Sequence, residues 1–109
     1  MGPKTIVTAK FTIGQLIEHR LFNYRGVIFE IDPCFMLTDE WYEQMAKSRP
    51  PKDEPWYHVM PDKTETTTYV AQQNLRLDST RRPISHPDLE QAFTGFKNGV
   101  YLLHQNDIQ

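Results

Sequence analysis

The stretch that most constrains this chain is residues 25–32, Arg-Gly-Val-Ile-Phe-Glu-Ile-Asp, closed by Pro33. Val27, Phe29 and Ile31 alternate with Ile28, Glu30 and Asp32, and β-branched and aromatic residues dominate. Extended backbone points successive side chains to opposite faces, so this period of two is a strand. It predicts Val27, Phe29 and Ile31 on the core face and Glu30 exposed. Asp32 reads the same way, as an outer-face acid. Pro33 has no N–H to donate and ends the ladder. Gly26 marks a bend or bulge near the start.

A chain that must bury such a strand needs partners, and the rest of the sequence offers short ones. Gly14, free to take positive φ, leads into a strand within 15–21, and Asn23 is a turn residue. Residues 56–60 alternate again, with Trp56, His58 and Met60 opposite Tyr57 and Val59, and 65–71 pairs with them as a hairpin. Val59 and Val70 belong to the predicted core. Leu75 and Leu77 suggest one more short strand. Residues 38–47 read as a helix. Thr38 caps it, Asp39 and Glu40 suit its positive end, and Leu37 and Tyr42 stand at staple positions. Trp41 and Met45, four apart, are expected to face inward together. Ser85 and Asp88 have capping-box spacing before the stripe Leu89, Ala92, Phe93, Phe96, which predicts a second short helix over 85–96. Asn98-Gly99 breaks that pattern, and Val100-Tyr101-Leu102-Leu103 is an apolar run of open type. These elements describe a mainly β chain with short helices, a small, partly open β-barrel with α additions. The expected organisation is a lead-in at 1–10, a barrel at 11–77 with a helical insertion at 38–49, and a helical tail at 78–109.

With 109 residues there is one domain and one modest core. Thirteen aromatic residues and a net charge of -2 argue against disorder. The one cysteine, Cys34, excludes an internal disulfide and a cysteine-built zinc site. It sits in Cys-Phe-Met-Leu and is expected to be buried and inert. No apolar run is long enough for a membrane helix and no secretory signal is visible, so the expected location is the cytoplasm.

Charge is unevenly placed. Up to Gly26, Lys4, Lys10, Arg20 and Arg25 oppose Glu18 alone, whereas 30–54 carries seven acids against Lys47, Arg49 and Lys52. Phosphate-binding proteins usually carry a stronger basic footprint than this. The exception is local. Arg20, Phe22, Tyr24 and Arg25 interleave cations and aromatics around one turn, a cluster able to grip phosphate and stack on a base. The plainer alternative has Phe22 and Tyr24 plugging the core and the arginines solvated. Trp41, Tyr42 and Met45 place three large apolar groups on a ten-residue insertion, more than its own docking needs. They are partner-interface candidates and suggest a small homo-oligomer. Val100, Tyr101, Leu102 and Leu103 are the other candidates, as an apolar segment able to add to a partner's sheet or groove.

Nothing points to catalysis. Neither a glycine-rich phosphate loop nor a nucleophile elbow is present, and Ser85-His86 are adjacent, unlike a catalytic pair. The histidines at 19, 58, 86 and 104 lack the spacing of a local metal pair. His58 reads as an ordinary strand histidine, so no metal or cofactor is expected.

The ordered blocks Phe11-x-x-Gly14, 19–28 (His-Arg-Leu-Phe-Asn-Tyr-Arg-Gly-Val-Ile), Asp32-Pro33, Trp41-x-x-x-Met45, 56–59 (Trp-Tyr-His-Val) and 69–75 (Tyr-Val-Ala-Gln-Gln-Asn-Leu) resemble the HspQ heat-shock family, also called YccV-like or hemimethylated-DNA-binding. The resemblance runs from about residue 10 to residue 77, and the segment from His86 to Tyr101 is similar to the tail of some members. It implies an SH3-like barrel with no enzymatic activity and no cofactor. It also implies two roles. One is promoting degradation of denatured proteins, including the replication initiator, by an ATP-dependent protease of the Lon type. The other is binding hemimethylated duplex DNA in replication control, which would add a nucleoid location. The near-neutral charge favours the first.

Overall fold

The structure is a computed structural model that describes residues 8–104. Five strands form one antiparallel sheet: β1 (Leu16–His19), β2 (Arg25–Asp32), β3 (Trp56–Pro61), β4 (Thr68–Ala71) and β5 (Leu75–Leu77), in the order β4-β3-β2-β1-β5. A short helix, α1 (Asp39–Met45), lies between β2 and β3, and a 3-10 turn (Gln72–Asn74) joins β4 to β5. The end strands β4 and β5 pair on one side only, so the sheet is not closed into a barrel. They are four and three residues long.

β2 anchors the sheet, but strict alternation fails inside it. Its pairing with β3 shifts register between Ile28 and Glu30. The extra residue, Phe29, is a β-bulge that inverts the facing of Glu30, Ile31 and Asp32. Ile28 and Ile31, three apart, therefore pack on the same cluster as Tyr57 and Val59, while Val27 and Phe29 pack on the other. Val27, Val59 and Val70 are buried and Glu30 is exposed, as the pattern predicts. Phe29 and Ile31 are only half-buried, and Asp32 is buried rather than outward. Gly26 is not the bulge. A Cβ there would meet Val59 Cγ1 at 2.6 Å and Met60 O at 2.7 Å, so glycine permits close approach of β3.

Both faces of the sheet are covered. Ile17, Ile28, Val59 and Val70 enclose Phe11, Tyr57 and Leu75 on one side. On the other, Leu16, Val27 and Met60 receive Ile84, Phe93 and Tyr101 from the C-terminal segment. That segment departs from the predicted helix. Only α2 (Leu89–Ala92) is helical, followed by the hairpin β6 (Phe93–Lys97) and β7 (Val100–Leu103). Asn98 (φ 55°) and Gly99 (φ 80°) both take positive φ, the requirement of a two-residue turn whose twist matches a hairpin. The stripe Leu89, Ala92, Phe93, Phe96 still meets one cluster, by strand geometry for its last two members. The hairpin is fastened to the sheet by Tyr101 N–H donating to Gly14 O at 2.9 Å. Gly14 has φ 95°, and a Cβ there would collide with the Tyr101 carbonyl.

Among the described residues, no helix is long and apolar enough to cross a membrane. Cys34 is exposed, against expectation, because the chain leaves the sheet at Pro33.

Candidate functional site

The β1–β2 turn is built by His19. Its imidazole is buried, and Nδ1 accepts the N–H groups of Leu21 and Phe22, each at 3.1 Å. Asn23 closes the turn with φ 60° and an N–H donated to His19 O. An Nδ1 that accepts two donors must be unprotonated, and burial lowers the His19 pKa accordingly. The Phe22 ring stacks on His19 at 4.6 Å and stays 70% exposed. Leu21 and Arg20 are exposed beside it. Tyr24 packs partly into the core and its hydroxyl meets Thr68 Oγ1 at 2.7 Å.

The insertion stands opposite. Thr38 Oγ1 accepts Trp41 N–H and caps α1, as predicted. The helix is pinned by Tyr42, which is buried and donates its hydroxyl to Pro50 O at 2.6 Å, and by Trp56 Nε1 donating to Pro51 O at 3.0 Å. Trp56 and Tyr69 stack at 5.2 Å, and Phe35 and Trp41 pack around them. The inward residue of the helix is Tyr42, joined by Ala46 at its C-terminal cap. Met45 is 61% exposed and Trp41 half-buried, so the expected inward pair Trp41–Met45 does not form.

Between turn and insertion runs a groove of about 710 Å³. Leu21, Phe22 and Tyr24 form one wall, Leu37, Trp41 and Met45 the other, and Thr67 with the β4 edge the floor. Two sets of candidates that are unconnected in sequence thus meet in one site. Among the described residues that line it, Lys47 alone is a lysine, an arginine or an acid of the carboxylate kind.

Other candidates lie elsewhere. Arg25 is engaged by Asp78 and Asp62 and donates to Arg82 O. Of the four DNA-contact candidates, Arg25 is held in this ion-pair cluster, Tyr24 packs partly into the core, and Arg20 and Phe22 are exposed. Of the plainer alternative, Tyr24 packs against the core and Phe22 does not. Tyr101 is buried, with its hydroxyl accepting Ile84 N–H at 2.9 Å, while Val100 and Leu102 are exposed and Leu103 half-buried. The apolar run therefore has its partner within the chain.

Sequence reasoning missed a polar cluster behind the groove. Tyr69 donates its hydroxyl to Asp32 Oδ2 at 2.6 Å, and His58 Nε2 lies 3.1 Å from the same oxygen. Burial, then the bond to Asp32, raise the Tyr69 pKa and keep the phenol protonated. Ligand atoms of Glu30, Asp32 and His58 lie within 4.8 Å of one another, a spacing compatible with a cation. Asp32 already accepts from Tyr69 and Glu30 is exposed, so the cluster is satisfied as a hydrogen-bond network. No local signal in the sequence marks it: the bulge at Phe29 turns Asp32 inward, and the alternating pattern hides the bulge.

Compared with known families, residues 9–100 match the model described as YccV-like, hemimethylated DNA-binding protein YccV like.

Proposed function

From the premise that this chain belongs to the YccV-like family, we propose that it is a non-enzymatic cytoplasmic binding module that captures apolar segments of denatured proteins and promotes their degradation by an ATP-dependent protease of the Lon type. The observation that carries this reading is the apolar groove. Leu21, Phe22, Leu37 and Met45 are large apolar side chains held exposed along its rim, although the chain has a core in which to bury such groups. Exposed apolar surface of this kind marks binding of apolar partners. The cation most firmly fixed near the turn, Arg25, is neutralised by two carboxylates, which weakens the case for a phosphate surface. Reconstituted proteolysis of a denatured substrate tests the reading. Faster degradation with the protein than without it is the expected result, and an unchanged rate overturns it.

A second reading, binding of hemimethylated duplex DNA, is favoured by the family description and by Arg20 standing exposed beside the free ring of Phe22. Gel shifts on hemimethylated, fully methylated and unmethylated duplexes test it. Retardation of the hemimethylated duplex alone supports it, and equal or absent retardation of all three counts against it.

A further inference from the structure

We propose that the groove takes its occupant as an extended strand added to the open edge of β4, and that this occupant is an apolar peptide segment carrying a carboxylate rather than a cation. The proposal rests on the groove being the client site described above.

Hydrogen-bond phase is the first ground. Gln72 N–H donates to Pro55 O at 3.1 Å. Antiparallel partners alternate between hydrogen-bonded and non-bonded pairs, so with the observed register Tyr57–Val70 and Val59–Thr68 are bonded pairs as well. The N–H and C=O of Tyr69, and of Thr67 one step before the strand, then point away from β3. Among the described residues, β4 has no other strand partner. Ala71 is covered against Ala46 and Tyr42, but Tyr69 is partly exposed and Thr67 exposed. The edge is therefore open where the groove is open.

The second ground is what lines the groove. Thr68 and Val70 belong to one face of the sheet, Tyr69 and Ala71 to the other, and all four line it. The groove straddles the edge of the sheet and lies on neither face alone. A strand laid along that edge would send alternate side chains toward Phe22 on one wall and Trp41 on the other. Strand addition draws affinity from main-chain bonds and selectivity from such alternate pockets, which suits clients that share exposed apolar sequence but no motif.

Charge decides the third feature. Lys47 lines the groove and, among the described residues, no carboxylate does. A carboxylate on the incoming segment finds an opposite charge there, and a lysine finds a like one.

The test uses a fluorescein-labelled octapeptide of alternating valine and threonine with an N-terminal glutamate, followed by anisotropy. Two further versions carry N-methyl groups on alternate residues, in one phase or the other. Only one phase faces β4, so one version should lose about tenfold in affinity and the other less than about twofold. Equal effects in both phases overturn strand addition. Exchanging the glutamate for lysine should weaken binding at low salt, and unchanged affinity overturns the charge assignment. In hydrogen exchange, the Tyr69 amide should exchange rapidly in the free protein and slow on addition of peptide. A Tyr69 amide already protected in a concentration-dependent dimer would assign the edge to a second copy and overturn the peptide assignment. Peptide binding with the expected phase but no stimulated proteolysis sinks the functional reading alone. Stimulated proteolysis with no phase dependence sinks this inference alone.

Discussion

Arg25 and Asp78, 53 residues apart in sequence, form a two-bonded ion pair, with Nε 3.1 Å from Oδ1 and Nη2 3.0 Å from Oδ2. The side chain of Asp78 is 3% exposed. Burial alone would raise its pKa, but the bonds from Arg25 and from the Thr80 hydroxyl outweigh that and hold the carboxyl below its ordinary value. Asp62 adds a third charge at 3.6 Å. The cluster ties the start of β2 to the segment that leads into the C-terminal hairpin.

Replacing Arg25 with Ala leaves Asp78 as a buried carboxylate without its partner. Breaking a largely buried pair costs about 2–4 kcal/mol when one side stays partly solvated. Urea unfolding should show a lower midpoint with little change in slope. An unaltered midpoint would mean that the pair is a surface decoration.

Acid should weaken the fold in two separate windows. The His19 pKa is lowered by burial, so the unfolded chain binds the extra proton first. Stability from this group is complete above about pH 6.5, falls as the pH drops below that, and levels off under the folded value. The depressed Asp78 value acts likewise, but only below about pH 4. Stability measured against pH should therefore fall first near pH 6, by at most about 1.4 kcal/mol per unit for one proton. His19→Gln should abolish that first decline and keep the second. A first decline that persists in the variant would place the proton on another histidine.

The strands and α1 were legible because they depend on local periodicity and capping. Thr38 capped its helix, and Asn23 and Gly14 took the positive φ values their residue types allow. Three features were not legible, each for a physical reason. The bulge at Phe29 is invisible to a pattern of two because Val-Ile-Phe-Glu-Ile supplies apolar residues in either phase. The C-terminal stripe fits helix and hairpin alike, and Asn98-Gly99, the strongest hairpin dipeptide, decides between them. Arg25 looked free because its partners, Asp62 and Asp78, reach it only through the folded sheet. The groove is of the same kind: its two walls, 21–24 and 37–45, become neighbours across β4.

Because Phe93 and Tyr101 cover Leu16, Val27 and Met60, the C-terminal segment is part of the core. Truncation after Pro83 should yield a chain that aggregates or unfolds. Tyr101→Phe is the milder probe. It keeps the ring and removes only the hydroxyl that links to Ile84 N–H at 2.9 Å and Ile84 O at 3.3 Å. The cost should be about 1–2 kcal/mol, including the Ile84 groups left unpaired. A truncated protein with full thermal stability would show that the hairpin is an accessory.

The two functional readings share Phe22 but otherwise use different side chains, Met45 and Arg20, which makes them separable by substitution. Phe22 is 70% exposed and Met45 61% exposed, on opposite walls of the groove. Replacing both with Ser removes little buried surface, so stability should change by no more than about 1 kcal/mol, mostly from the missing ring stack on His19. If the groove holds denatured segments, stimulation of proteolysis should drop several-fold in the double variant and stay intact in Arg20→Ala. If the protein acts on DNA through this turn, Arg20→Ala should weaken the gel shift and flatten its salt dependence by about one unit of slope, since one phosphate is no longer neutralised. Removing the Phe22 ring would take away the stacking contribution, and Met45→Ser would be silent. The single variant Met45→Ser therefore reports on the protein client alone, and Arg20→Ala on phosphate alone. Full proteolytic stimulation in the Phe22, Met45 double variant would remove the groove from the mechanism and move the client surface to another face of the sheet.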